Sequence, residues 1–105
     1  MRCPGLDQLP APPPGRNGWP WTIETPPLPD TMRGGIAAWP RISVVVASLN
    51  HGRYIEEMIR AVLLQGYPDL ELILIDGGSD RETLEVIGRY ERWFAYWVSE
   101  ADRGQ

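Results

Sequence analysis

The sequence predicts an α/β fold in which parallel strands alternate with helices as β-α-β-α-β, preceded by a proline-rich extended arm. Three observations predict it. Ten of the eleven prolines lie in the first 40 residues, whereas after Arg41 the only proline is Pro68. Short apolar, β-branched runs then alternate with segments of helical periodicity. The joints between them are brief, as in right-handed crossovers of a parallel sheet. The shift in composition places a boundary near Trp39 and Pro40, with residues 1–40 an arm or linker, mostly irregular, and residues 41–105 the folded part.

The arm carries "APPPG", "GWPWT" and "TPPLP". Proline fixes φ and removes a backbone donor, so the arm is predicted to be extended and polyproline-like, with no buried core of its own. Pro10–Pro13 and Pro26–Pro29 match PxxP formally, but such matches are common in a proline-rich linker. Trp19 and Trp21 are different. Two indoles are costly to leave in water, so both are expected to dock on the folded part or on a neighbour.

The folded part opens with "ISVVVASL", Ile42 to Leu49, too short for a typical helix and apolar enough for a strand buried on both faces. Tyr54 to Gln65 follows as a helix, with Ile55, Met58, Ile59, Val62 and Leu63 on one stripe. Gly66 and Pro68 end it. Glu56 and Arg60 stand four apart in the favourable order, read as a surface pair worth about 0.2–0.5 kcal/mol. "LELILI", Leu70 to Ile75, is the second strand. "RETLEVIGRYERW" is the second helix, and "AYWVS", Ala95 to Ser99, the third strand. Roughly 65 residues bury only about 60% of their unfolded surface, which predicts an incomplete unit.

Charge and composition exclude several function classes. All ten basic residues are arginine and fourteen residues are acidic, for a net charge of −4, so nothing attracts nucleic acid or anionic lipid broadly. The lone Cys3 makes no internal disulfide and reads as a chance thiol in the arm, compatible with a reducing cytoplasm. The N-terminus lacks the roughly 7–15-residue apolar centre of a secretory signal, and no stretch reaches the ~18 apolar residues of a membrane span. The chain is read as soluble and cytoplasmic.

Ligands of open parallel sheets bind at the carboxyl ends of the strands. Three segments fall there: Ala47 to Arg53, Asp76 to Asp80, and Ser99 to Gln105. Asp76 directly follows an apolar strand and precedes Gly77 and Gly78, so it either forms the turn or accepts from a ribose hydroxyl or a base N–H. Ser79 and Glu82 fit the capping box S-x-x-E and are read as structural; no nucleophile motif surrounds Ser79. His51 stands alone and cannot build a multi-histidine metal site. "SLNHGRY" has one glycine where a dinucleotide fingerprint has three, and Glu100-Ala-Asp102 is only a loose likeness of D-x-D. No metal site is supported within these residues.

"PRISVVVASLNHGRYIEEMIRAVLLQGYPDLELILIDGGSD" followed by "YWVSEADRGQ" resembles the start of a family 2 glycosyltransferase domain of the GT-A fold. "GWPWT" is similar to a segment found upstream of such domains, so the resemblance covers nearly the whole chain. It implies a β-α-β-α-β half of a Rossmann-like GT-A nucleotide-binding domain, truncated at Gln105. The family transfers a sugar from a nucleotide-diphosphate donor to an acceptor hydroxyl. By resemblance, Ala47, Ser48 and Asn50 line the donor pocket, Asp76 binds the nucleoside, and Asp102 and Arg103 lie near the donor. No catalytic residue is assigned. Mg²⁺ or Mn²⁺ and a saccharide or lipid-linked acceptor, in cell-wall or polysaccharide biosynthesis, are implied for the complete enzyme, with no metal site in this chain. Family members commonly read D-G-G-S-T-D-G-T, whereas Arg81 occupies the usual second acid position here. The expectation is an N-terminal fragment that forms the nucleotide pocket and is inactive alone. The alternatives are a nucleotide-binding or interaction module that needs a partner chain, and a nonfunctional truncated product.

Overall fold

The structure is a computed structural model and describes residues 1–32, 37–49 and 54–100. The elements run β1 (Ile42–Ser48), α1 (Ile55–Leu63), β2 (Leu70–Asp76), α2 (Arg81–Tyr90) and β3 (Phe94–Ser99), with 3₁₀ turns at Leu6–Gln8 and Glu91–Trp93. The strands form one parallel sheet in the order β1-β2-β3. The expected β-α-β-α-β alternation is therefore present, with element ends moved by one to three residues. β3 pairs with β2 through an irregularity that skips Ala95, after which Asp76 stands opposite Ser99.

Sequential strand order fixes where the helices go. Each right-handed crossover steps the same way across the sheet, so α1 and α2 share one face. Val46, Leu72 and Leu74 point into that face and meet Ile55, Ile59, Leu63, Val86, Ile87 and Tyr90. At about 25 cal/mol per Å² of buried apolar surface, this cluster is the main stabilising contribution. The other face is open: Val45 is 64% exposed, and Ile75 and Tyr96 are exposed beside it. The expectation that the first strand is buried on both faces fails for this reason, because both helices lie on the same side.

The arm is irregular in secondary structure but not in packing. Cys3 and Leu9 join the core cluster, and Pro20 and Trp21 are buried, contrary to the expectation of no buried core there. The start of the chain pairs with the start of β2: the Met1 amino group donates to Leu70 O at 3.0 Å, and the Leu70 amide donates to Met1 O at 2.7 Å. The Cys3 amide donates to Tyr67 O, and the Leu28 amide to Gly66 O. Gly66 is required at this contact: its φ is +66°, and a Cβ there would stand 2.8 Å from Pro27 Cα. Of the two indoles expected to dock, Trp21 does so, whereas Trp19 stays 43% exposed with Nε1 donating to Thr25 Oγ1.

Arm docking also corrects the reading of Glu56 and Arg60 as a wet surface pair. Both are buried, since the arm lies over the helix face that carries them. Arg60 donates to three arm carbonyls, and the Tyr90 hydroxyl stands between it and Glu56.

Candidate functional site

All three strands end in a short polar residue at one level of the sheet. Ser48, Asp76 and Ser99 are register partners across β1, β2 and β3, with side chains on the helical face. Asp76 is the hub. Its Oδ2 accepts from the amides of Gly78 at 3.1 Å and Ser79 at 2.8 Å and from Ser99 Oγ at 2.8 Å, and its Oδ1 accepts from Ser79 Oγ. The main chain closes the same knot, with the Gly77 amide donating to Ser48 O and the Glu100 amide to Asp76 O.

This arrangement explains the local sequence. An acceptor-only side chain at the strand end draws in the amides two and three residues on, an Asx-type turn. The turn requires φ +94° at Gly78, a left-handed conformation that a Cβ disfavours. Asp76 is 1% exposed. Burial raises its pKa, but the Ser79 hydroxyl and amide and the Ser99 hydroxyl outweigh burial and hold the carboxyl below its usual range. A buried, hydrogen-bonded anion thus sits at the meeting point of three strands.

The same knot overturns the expected capping box. Asp76 occupies the hydroxyl and amide of Ser79, and the cap shifts one residue along: Asp80 is extended and its Oδ1 accepts from the Thr83 amide at 3.0 Å. Glu82 then falls at the second helical position and cannot complete a box with Ser79.

Of the residues assigned to the donor pocket, Ser48 and Asp76 come together, while Ala47 points to the open face of the sheet. Asn50, Asp102 and Arg103 lie outside the described residues, as does His51. Ser99 and Ser79 belong to the cluster and were missed as site residues. The signal for Ser99 was readable: "VVVAS", "LILID" and "AYWVS" each end an apolar run on one small polar residue. Ser48 Oγ is buried beside Asp76 and also helps hold its carboxyl down. Among the described residues, no three His, Cys, Asp or Glu side chains gather as metal ligands. No helix there is long and apolar enough to cross a membrane.

Comparison with known proteins places these strands in a family. The model of glycosyl transferase family 2 matches residues 43–101, from β1 to just beyond β3. An uncharacterized glycosyltransferase of Mycobacterium tuberculosis is 36% identical over 67 residues, 63% of this chain and 26% of that protein. The putative teichuronic acid biosynthesis glycosyltransferase TuaG of Bacillus subtilis is 36% identical over 53 residues, 50% of this chain and 21% of that protein. Glycosyltransferase GlyG of Streptococcus pneumoniae is 42% identical over 45 residues, 43% of this chain and 15% of that protein. The chain therefore spans about a quarter or less of the length of these relatives. No solved structure matches it. With the family model covering more than half of its residues, the chain belongs to glycosyl transferase family 2.

Proposed function

We propose that this chain supplies the nucleotide-binding part of a glycosyltransferase that moves a sugar from a nucleotide-diphosphate donor to an acceptor hydroxyl. One observation carries the reading: the Ser48–Asp76–Ser99 row stands at the carboxyl end of a parallel sheet, where α/β folds take their ligands. Asp76 Oδ1 accepts one hydrogen bond from Ser79 and has a second lone pair for a base N–H or a ribose hydroxyl. Access to it requires the shell over Asp76 to open. In this reading Ser48 and Asn50 line the same pocket, and Asp102 and Arg103 flank the donor. Arg103 suits a diphosphate, since guanidinium matches phosphate oxygens.

Mg²⁺ or Mn²⁺ belongs to the complete enzyme in this proposal. Among the described residues no three carboxylate, thiol or imidazole side chains gather to hold it. The likeness to a putative teichuronic acid biosynthesis glycosyltransferase supports a saccharide or lipid-linked acceptor in cell-wall or polysaccharide synthesis. A cytoplasmic location fits the lone thiol of Cys3. The 105-residue chain by itself is expected to bind nucleotide without transferring sugar.

The test is a UDP titration followed by amide NMR. Saturable shifts at Ser48, Gly77, Gly78 and Ser99 support the pocket. No change at millimolar UDP, or at other nucleoside diphosphates, sinks it and leaves the chain as an interaction module. Sugar release from a UDP-sugar by the chain alone overturns the expectation of inactivity.

A further inference from the structure

Arg60 is fully enclosed, yet among the described residues no carboxylate forms an ion pair with it. Enclosing a guanidinium is costly unless its donors are used. Here Nε donates to Pro20 O at 2.8 Å, one terminal nitrogen to Pro10 O at 2.8 Å and Tyr90 Oη at 3.1 Å, and the other to Trp21 O at 2.8 Å. Its three arm acceptors are main-chain carbonyls from two separate stretches. The Trp21, Thr22 and Ile23 amides all turn back to Gly18 O, and the guanidinium fork supplies the donors for the Pro20 and Trp21 carbonyls of that turn. Two guanidinium groups approach the Trp21 ring, Arg60 at 5.3 Å and Arg16 at 5.4 Å from its centroid.

We propose that the α1–α2 face is a docking site for an irregular, proline-bearing segment with a tight turn at Gly18–Thr22, occupied in cis by residues 9–23 and read through the Arg60 guanidinium. With the segment in place, Ile55, Ile59, Leu63, Leu72, Leu74 and Ile87 of the α/β layer are at most 1% exposed. The docked segment adds Leu9, Pro20 and Trp21 to the interior, while Trp19 and Ile23 stay exposed. Its hold therefore combines burial of those three side chains with directional hydrogen bonding to one guanidinium, and in this proposal the segment opens locally without global unfolding. Because Arg60 reads carbonyls, docking tolerates changes of side chain at Pro10. It does not tolerate Arg60→Lys, since one ammonium cannot fork to three carbonyls and a hydroxyl. This inference rests on the fold alone and stands or falls independently of nucleotide binding.

Trypsin reads it on the full chain, because the exposed Arg16 lies inside the docked segment and Arg89 lies in α2. Cleavage tracks the population of the open form. Arg60→Met is expected to speed cleavage after Arg16 by about tenfold or more while cleavage after Arg89 stays within about threefold. Exchange of the Trp21 and Thr22 amides rises in parallel, and Arg60→Lys behaves closer to Met than to wild type. Equal acceleration at both sites, or none, overturns the proposal. Should Arg60→Met fail to fold, the wild-type chain decides: separable docking requires faster cleavage at Arg16 than at Arg89, and a single common rate refutes it.

Discussion

Asp76 carries a charge that four donors hold in place, and that fixes what its replacement does. Asp76→Asn keeps the shape but gives up charge-assisted bonds, for an expected loss of about 1.5–3 kcal/mol at neutral pH. The sign with pH follows from the depressed folded pKa. Such a group adds stability above the unfolded value of about 3.9, and that stability is lost as pH falls through the lower folded value. Urea denaturation at pH 7 and near pH 2 is therefore expected to show the wild-type advantage shrinking in acid. A gap that stays constant removes the anion from the explanation. Gly78 and Gly77 give a second contrast. Gly78→Ala forces a Cβ onto φ +94° and is expected to cost about 1–2 kcal/mol. At Gly77 the added Cβ meets Leu49 Cδ1 at an ordinary 3.5 Å, so Gly77→Ala is expected to cost clearly less in the same denaturation series.

At the scale of elements, the start of α2 tests which residue caps it. Asp80→Ala is expected to cost about 1 kcal/mol, whereas the exposed Glu82 is expected to change stability by less than about 0.5 kcal/mol on conversion to Ala. The reverse order in thermal melts restores the Ser79 box. Why the sequence misplaced this cap is physical. S-x-x-E describes a helix end in isolation, but Ser79 is claimed by a carboxylate three residues back, and local pattern cannot rank a tertiary bond above a cap. The strands and helices themselves were legible because their periods are set by burial on one side, as in the Ile55, Ile59 and Leu63 stripe. Glu56 and Arg60 were not, since their spacing on α1 is that of a solvated pair and only the docked arm turns that face inward. Part of the strand-end cluster was legible as well: Asp76 by position, Ser48 through the family resemblance, and Ser99 in the shared pattern of apolar runs that end on one small polar residue, which the register then set opposite Asp76.

Across the whole molecule, the arm, the helical layer and the sheet meet at Tyr90. Its hydroxyl donates to Glu56 Oε2 at 2.5 Å and accepts from Arg60, which in turn holds the arm. Burial first, and then the bond to the Glu56 carboxylate, push the hydroxyl up to about 12, while Arg60 acts in the opposite direction. The folded chain thus keeps this proton at a pH where the unfolded chain, with tyrosine near 10, has released it. Where the native state binds more protons, stability falls as pH rises, here between about 10 and 12 at up to about 1.4 kcal/mol per pH unit. Tyr90→Phe removes that proton and one partner each of Glu56 and Arg60. It is expected to lose about 1–3 kcal/mol at pH 7 yet to show a flatter decline above pH 10. Denaturation midpoints of both chains from pH 7 to 12 check this. Parallel curves assign the alkaline loss to other groups and leave Tyr90 as a packing residue only.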